Sequence, residues 1–175
     1  MKRICLHGPE STGKSTMATR LASHFGCEVV PEYGRAYCEA HGTDIGMAEL
    51  VHIGQAQDAM NRAAAKRAVE LNAPLVLFDT DPLITEVWAQ MMFGTSDAWF
   101  ADFAGYADFY LLLDIDLPFV DDGLRVYAGV EQRRHFFDLC KSELKARDVR
   151  YALVQGEGED RFRAALNAVQ PVLGK

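Results

Sequence analysis

The chain has 175 residues, 49% of them hydrophobic and 25% charged. That size and apolar content suit one globular domain over residues 1–175 that builds its own core, and they exclude a disordered chain. Lys plus Arg total 18 against 25 Asp plus Glu, a net charge of −7. An acidic chain is a poor general binder of nucleic acid or of anionic membranes, although one local basic site can still hold phosphate.

In chain order, Arg3 to His7 reads as a buried strand and Gly13 to Phe25 as a helix. Cys27 to Val30 reads as a second strand, stopped by Pro31. Gly46 to Leu71 is a long helical stretch rich in Ala, Met and Gln, with its methionines in the core. Pro74 to Phe78 is a third buried strand. Pro82 to Phe93 is a helix with proline in its first turn, and Asp97 to Tyr106 is a further helix. Phe109 to Ile115 is a fourth strand, Glu131 to Arg147 a helix, Tyr151 to Val154 a fifth strand and Asp160 to Leu173 a closing helix. Strands apolar throughout imply a sheet covered on both faces. Their alternation with helices implies right-handed crossovers and parallel pairing. The expected fold is therefore α/β, with three layers, and ligands are expected beyond the carboxyl ends of the strands.

The four cysteines, Cys5, Cys27, Cys38 and Cys140, form no CxxC pair and no zinc spacing with the histidines. Reduced thiols in a cytoplasmic protein are the expectation. The apolar run before Gly8 is too short for a signal-peptide core, and no run approaches bilayer length. The sequence carries no pattern that specifies an oligomer.

Directly after the first strand stands Gly8-Pro9-Glu10-Ser11-Thr12-Gly13-Lys14-Ser15, followed by Thr16. It satisfies the phosphate-loop pattern G-x-x-x-x-G-K-[ST]. Glycines let the backbone wrap so that its N–H groups converge on phosphate oxygens, and the helix that follows adds its positive end. Lys14 is expected to reach the β- and γ-phosphates, and the Ser15 hydroxyl to ligate Mg²⁺. The alternative is a glycine-rich turn with an exposed lysine and a capping serine.

The third strand runs into Asp79, with Asp81 two residues later. Four apolar residues and an aspartate make a carboxylate that can organise the metal or accept a proton from the acceptor. Asp81 precedes Pro82 and a helix, so it is read either as an acceptor ligand or as the helix N-cap. The second strand ends at Pro31-Glu32-Tyr33-Gly34-Arg35. Glu32 could act as general base or bind a ribose, Tyr33 could stack on a base, and Arg35 could hold a phosphate or carboxylate. The competing reading is a helix-start turn with a local ion pair.

After the fourth strand, Asp121 and Asp122 are followed by Arg125, Arg133 and Arg134. A segment over about residues 118–134 that closes arginines on a transferring phosphoryl group would serve as a lid. Asp122 is read as an acceptor ligand. A solvated loop with internal ion pairs is the alternative. His7, His24, His41, His52 and His135 show no metal-ligand spacing, though His7 abuts the phosphate loop. Trp88 and Trp99 suit core positions, with stacking on a base as the other possibility. No N/T-K-x-D guanine motif is present.

The phosphate loop with its Pro-Glu-Ser insert, Val30-Pro31-Glu32-Tyr33-Gly34-Arg35, Phe78-Asp79-Thr80-Asp81 and Val120-Asp121-Asp122-Gly123-Leu124-Arg125 occur in this order. Together they resemble the ribosylnicotinamide kinases of the NadR type. The resemblance implies a P-loop kinase fold with a five-stranded parallel sheet in order 2-3-1-4-5 and a lid. It implies ATP-dependent phosphorylation of the 5′-hydroxyl of nicotinamide riboside, with ATP and Mg²⁺ as cofactors and a small nucleoside-like molecule as partner. Gly8, Glu10, Ser11, Thr12, Gly13, Lys14, Ser15, Thr16, Arg133 and Arg134 are then expected at ATP. Lys14, Glu32, Asp79 and Arg125 are expected at the reacting groups, with either Glu32 or Asp79 as base. Glu32, Tyr33, Arg35, Asp81 and Asp122 are expected at the acceptor, and Ser15 and Asp79 at the metal. Kinase action on another nucleoside or a small alcohol, and an ATP-dependent switch acting on a partner, are the rival functions. The resemblance covers only the kinase part of such proteins, since no H-x-G-H nucleotidyl-transfer motif is present.

Overall fold

The computed structural model describes residues 1–174. Its strands are β1 (Lys2–His7), β2 (Val29–Val30), β3 (Leu75–Phe78), β4 (Phe109–Leu113) and β5 (Tyr151–Val154). Its helices are α1 (Lys14–Phe25), α2 (Tyr33–His41), α3 (Met47–Glu70), α4 (Pro82–Phe93), α5 (Ala98–Asp102), α6 (Val130–Ala146) and α7 (Gly158–Val169), with a terminal 3-10 turn over Gln170–Leu173. All strand pairs are parallel, in the order β2-β3-β1-β4-β5. This is the expected three-layer sheet.

Period-two alternation sorts the sheet's side chains into two cores. Cys5, Val76, Phe78, Tyr110 and Leu112 point to one face, where they meet Leu83 and Val87 of α4 and Phe136 and Cys140 of α6. Ile4, Leu6, Leu75, Leu77, Leu111 and Leu113 point to the other, against Met17 and Leu21 of α1 and Ala165 and Val169 of α7. Each such fully buried aliphatic side chain contributes roughly 1.5–3 kcal/mol. Leu50, Ala89 and Phe100 form a smaller core where α3, α4 and α5 meet.

Four elements depart most from the sequence reading. β2 is only two residues long, because Pro31 follows it, although Leu77 still donates to the Glu28 carbonyl at 3.0 Å. Helix α2 was legible only as a turn; none of its residues is buried, so no apolar stripe announces it. The helix expected over Asp97 to Tyr106 stops at Asp102, where the Phe103 backbone turns extended and carries its ring into the core. Pro171 ends α7 early by removing a helical N–H donor. No helix among the described residues is long and apolar enough to cross a membrane.

Register brings the site together. β1 lies at the sheet's centre, paired with β3 through Cys5 and Phe78 and with β4 through His7 and Leu112. The phosphate loop leaving β1 therefore sits between Asp79, which follows β3, and Asp114, which follows β4.

Candidate active site

The loop Gly8 to Gly13 wraps because its backbone adopts conformations that glycine permits. Gly8 has φ +136°, and a Cβ there would stand 2.7 Å from the Leu113 carbonyl oxygen. Gly13 has φ +80° and leads straight into α1, whose free N–H groups and dipole point back into the loop. The Thr12 hydroxyl is buried and donates to the Pro9 carbonyl at 2.9 Å. Lys14 Nζ lies across the loop, donating to the carbonyls of Gly8 at 2.9 Å and Pro9 at 2.8 Å. An ammonium held there faces any anion the loop encloses.

His7 lies at the end of β1, fully buried, edge-on to Tyr110 with centroids 5.9 Å apart. Burial, with Lys14 adding to it, pushes its pKa down to about 3, so the ring is neutral. It is a packing group below the loop.

Two carboxylates face the loop. Asp79 is 5% exposed, its N–H donates to the Val30 carbonyl at 2.9 Å, and its Oδ1 has no hydrogen-bond partner among the described residues. A buried carboxylate oxygen left without a donor is costly unless a cation completes it. With the Ser15 hydroxyl at the head of α1, it would supply the kind of oxygen donors that Mg²⁺ takes. Glu32 stands at the N-cap position of α2 without a side-chain capping bond and lines the cleft. Burial pushes its carboxyl above the ordinary value; Lys14 pulls it back and Asp79 adds to the rise.

The Glu32 turn is pinned from α3. Gln57 accepts from the Tyr33 N–H at 2.7 Å and donates to the Pro31 carbonyl at 3.2 Å, gripping the backbone on both sides of Glu32. Gln57 also donates to Asn61 at 3.1 Å, and Asn61 donates to the Thr80 carbonyl at 3.1 Å. One buried amide pair, four residues apart on α3, thus ties the Glu32 turn to the end of β3.

Asp81 does not reach the cleft. It is 2% exposed, and its oxygens accept from the Leu83 N–H at 3.1 Å and from the Tyr110 hydroxyl. It is the N-cap of α4, so the acceptor-ligand expectation gives way to the capping one, and burial raises its pKa to about 6.

Residues 114–129 form neither helix nor strand and cross the loop as a strap. Glu10 accepts from the N–H groups of Val126 at 3.1 Å and Tyr127 at 3.3 Å. The Ser11 hydroxyl accepts from the Val120 N–H at 2.8 Å and from Arg125 at 3.2 Å. Glu10 and Ser11, the variable positions of the motif, therefore tether the strap. Asp122 accepts from Arg35 at 2.7 Å and forms an ion pair with Arg125 at 3.2 Å, bridging α2 to the strap; its carboxylate is committed to these arginines. The expected lid over 118–134 overlaps helix: from Val130 onward the chain belongs to α6. Arg133 is 8% exposed and donates to the Leu117 carbonyl at 3.0 Å, while Arg134 lies over the Phe137 ring at 5.6 Å. Neither lines the cleft, whereas Arg125 does.

Between strap, loop and helices lies a cleft of about 330 Å³. Loop residues 10–16, Glu32, Arg35 and Arg125 line its polar end. Ile53, Ile84, Trp88, Met92 and Tyr127 line its apolar end. Trp88 and Tyr127 lie 5.4 Å apart, tilted by 32°, and Trp88 is propped edge-on by Phe136 at 5.0 Å. Tyr33, expected as the stacking residue, points away and pairs with His52 at 3.4 Å. Trp99 is core, packed against Phe100 and Phe103. Gln57, Thr85 and Tyr127 escaped the sequence reading. The one available signal was the polar pair Gln57 and Asn61, spaced four apart in an otherwise Ala-rich helix.

Comparison with known proteins bears out the fold. The chain is 27% identical to the trifunctional NAD biosynthesis/regulator protein NadR of Escherichia coli and 26% identical to that of Salmonella typhimurium, in each case over 100% of this chain and 43% of the relative. It thus spans less than half the length of those relatives. A crystal structure of NadR protein in complex with NR superposes with TM-score 0.76 at 24% identity, over 99% of this chain and 52% of that one. A deoxyadenosine kinase from M. mycoides shares the fold over 97% of this chain and 99% of its own, with TM-score 0.68 and 13% identity. The family model described as AAA domain matches residues 3–161. Nearly the whole chain, phosphate loop included, falls within that match, and the chain belongs to the AAA domain family.

Proposed function

We propose that the protein is an ATP-dependent small-molecule kinase that phosphorylates the 5′-hydroxyl of nicotinamide riboside to give nicotinamide mononucleotide. The observation that carries this reading is that Lys14, the half-buried carboxylate Glu32 and the Trp88–Tyr127 aromatic pair line one cleft. A phosphate donor at the loop and a flat, positively charged pyridinium ring at the aromatic wall would then leave a ribose between them. Aromatic faces attract such a cation. The likeness to the NadR proteins supports the same reading.

The chemistry follows from the residues. The loop's N–H groups and Lys14 hold the β- and γ-phosphates of ATP. Ser15 and Asp79 would hold Mg²⁺, which supplies neutralisation of phosphate charge. Glu32 orients the 5′-hydroxyl and takes its proton; a carboxyl raised by burial is a stronger base than an exposed one. The hydroxyl oxygen bonds to the γ-phosphorus as the bond to the ADP oxygen breaks, in line. Arg125, docked on Ser11, stabilises the charge on the transferring group. Asp79 takes the metal role rather than the base role, because its unpaired oxygen calls for a cation.

The test is ADP release from Mg·ATP with and without nicotinamide riboside, with the product weighed by mass spectrometry. Strong stimulation with nicotinamide mononucleotide as product is expected. ADP release that responds only to a different nucleoside in a panel would reassign the acceptor. ADP release indifferent to every small acceptor would overturn the kinase reading in favour of a nucleotide-driven switch.

A further inference from the structure

Arg161 of α7 is 3% exposed, and it lies outside every motif discussed above. Its guanidinium spans three segments. One terminal nitrogen donates to the Thr12 carbonyl at 3.1 Å and the Asp114 carbonyl at 2.8 Å. The other donates to the Gly156 carbonyl at 3.0 Å and to the Asp116 carboxylate. Asp116 in turn accepts from the Gly156 N–H at 2.6 Å. The phosphate loop, the root of the strap and the β5–α7 turn are therefore gathered on one buried fork. A buried arginine is costly unless its donors are met, and four of the five are.

The contact with Thr12 has a directional consequence. In a trans peptide the carbonyl of one residue and the N–H of the next point in opposite directions. No cis peptide occurs among the described residues. By holding the Thr12 carbonyl outward, Arg161 turns the Gly13 N–H toward the cleft side of the loop. Gly13, at φ +80°, is the residue least able to hold its own orientation, because glycine has the widest backbone freedom. Thr12 itself cannot supply the restraint, since its hydroxyl is spent on Pro9.

We propose that Arg161 is a positioning residue for nucleotide: it pre-aims the phosphate-loop N–H groups by clamping the Thr12 carbonyl, without touching ATP itself. This deepens the kinase reading and rests on its phosphate-loop part alone. Lysine keeps the charge and most of the stem but cannot serve acceptors on three segments at once. Binding of a non-hydrolysable Mg·ATP analogue and of nicotinamide riboside would be titrated separately for the unmodified protein and Arg161→Lys. The variant is expected to bind nucleotide at least tenfold more weakly and the riboside within twofold of the unmodified protein. Unchanged nucleotide affinity in the folded variant, or an equal loss for both ligands, would overturn the inference, since a merely structural arginine would spare both or weaken both. If Arg161→Lys does not fold, Asp116→Asn frees the fork from its half-exposed side and should cost nucleotide about threefold and the riboside nothing. No selective loss there would overturn it equally. Failure of the unmodified protein to bind nucleotide would instead overturn the phosphate-loop reading.

Discussion

At its phosphate end the cleft is lined by consecutive residues from one loop; at its apolar end it is lined by side chains from α3, α4 and the strap, far apart in sequence. The first end works mainly through backbone N–H groups, so it needs only glycines, a lysine and a hydroxyl at fixed spacing. The second works through side-chain shape, which many residue types can supply. Backbone recognition leaves a readable motif, and side-chain recognition does not. The same contrast predicts that substitutions at the phosphate end act on chemistry with any acceptor, while those at the apolar end act on acceptor choice.

The largest effect is expected at Lys14. Lys14→Ala should lower kcat by roughly 10³-fold, the scale of a lost charge stabiliser in phosphoryl transfer. The thermal unfolding midpoint should hold, because the lysine's two partners are loop carbonyls rather than core groups. A folded variant with ordinary turnover would break the assignment of that end to phosphate.

Glu32→Gln should lower kcat by about 10²-fold, the lower part of the range for a lost general base. It should leave the affinity for nucleotide alone. Burial raises the Glu32 carboxyl above its ordinary 4.5, and the base must be ionised, so kcat should fall as pH drops through that raised value. Glutamine should remove that acid limb. A carboxyl held above its unfolded pKa favours the fold only while protonated, so it weighs against stability at neutral pH. Glu32→Gln should therefore be at least as stable as the parent in urea at pH 7.5. An unaltered pH–rate profile would hand the base role to another group.

Legibility followed the same divide. The five strands, Lys14, Ser15, Asp79 and Glu32 carried signals in residue type and spacing, while the strand order followed only from the family resemblance. Helix α2 did not, because a half-exposed helix has no apolar stripe to betray it. Tyr33 was expected to stack and Trp88 to sit in the core, but the turn at Glu32 sends Tyr33 to His52 while α4 brings Trp88 to the cleft. Arg133 and Arg134 looked like lid arginines because they follow the strap in sequence. The first turn of α6 buries one and lays the other on Phe137. Arg161 carried no local signal at all, since its partners lie 5 to 149 residues away.

Tyr127→Leu sharpens the comparison from the apolar side. It removes one aromatic face while keeping apolar bulk, and a cation–π or stacking face is worth about 1 kcal/mol. The Michaelis constant for nicotinamide riboside should rise five- to tenfold, with that for ATP within twofold. A matched rise in both would mean that Tyr127 acts through the Glu10 tether on the strap instead.

Asp81 supplies the smallest effect and separates scaffold from site. It sits two residues beyond Asp79 and is buried like it, but where Asp79 Oδ1 has no partner among the described residues, both Asp81 oxygens are taken up by Leu83 and Tyr110. Its pKa is about 6 in the fold against 3.8 for a free aspartate. Protonation therefore favours the folded state: that contribution is fully present below pH 3.8 and is lost as pH rises through 6. Between pH 7.5 and pH 5 the parent should gain about 1 kcal/mol over Asp81→Asn, which has no proton to take up. Urea unfolding of both proteins at the two pH values measures this difference. Asparagine can still accept from the Leu83 N–H, so the cap survives and kcat at pH 7.5 should stay within about threefold of the parent. A large loss of acceptor affinity with no pH-dependent stability difference would return Asp81 to the cleft and erase the boundary between the floor of the site and the sheet beneath it.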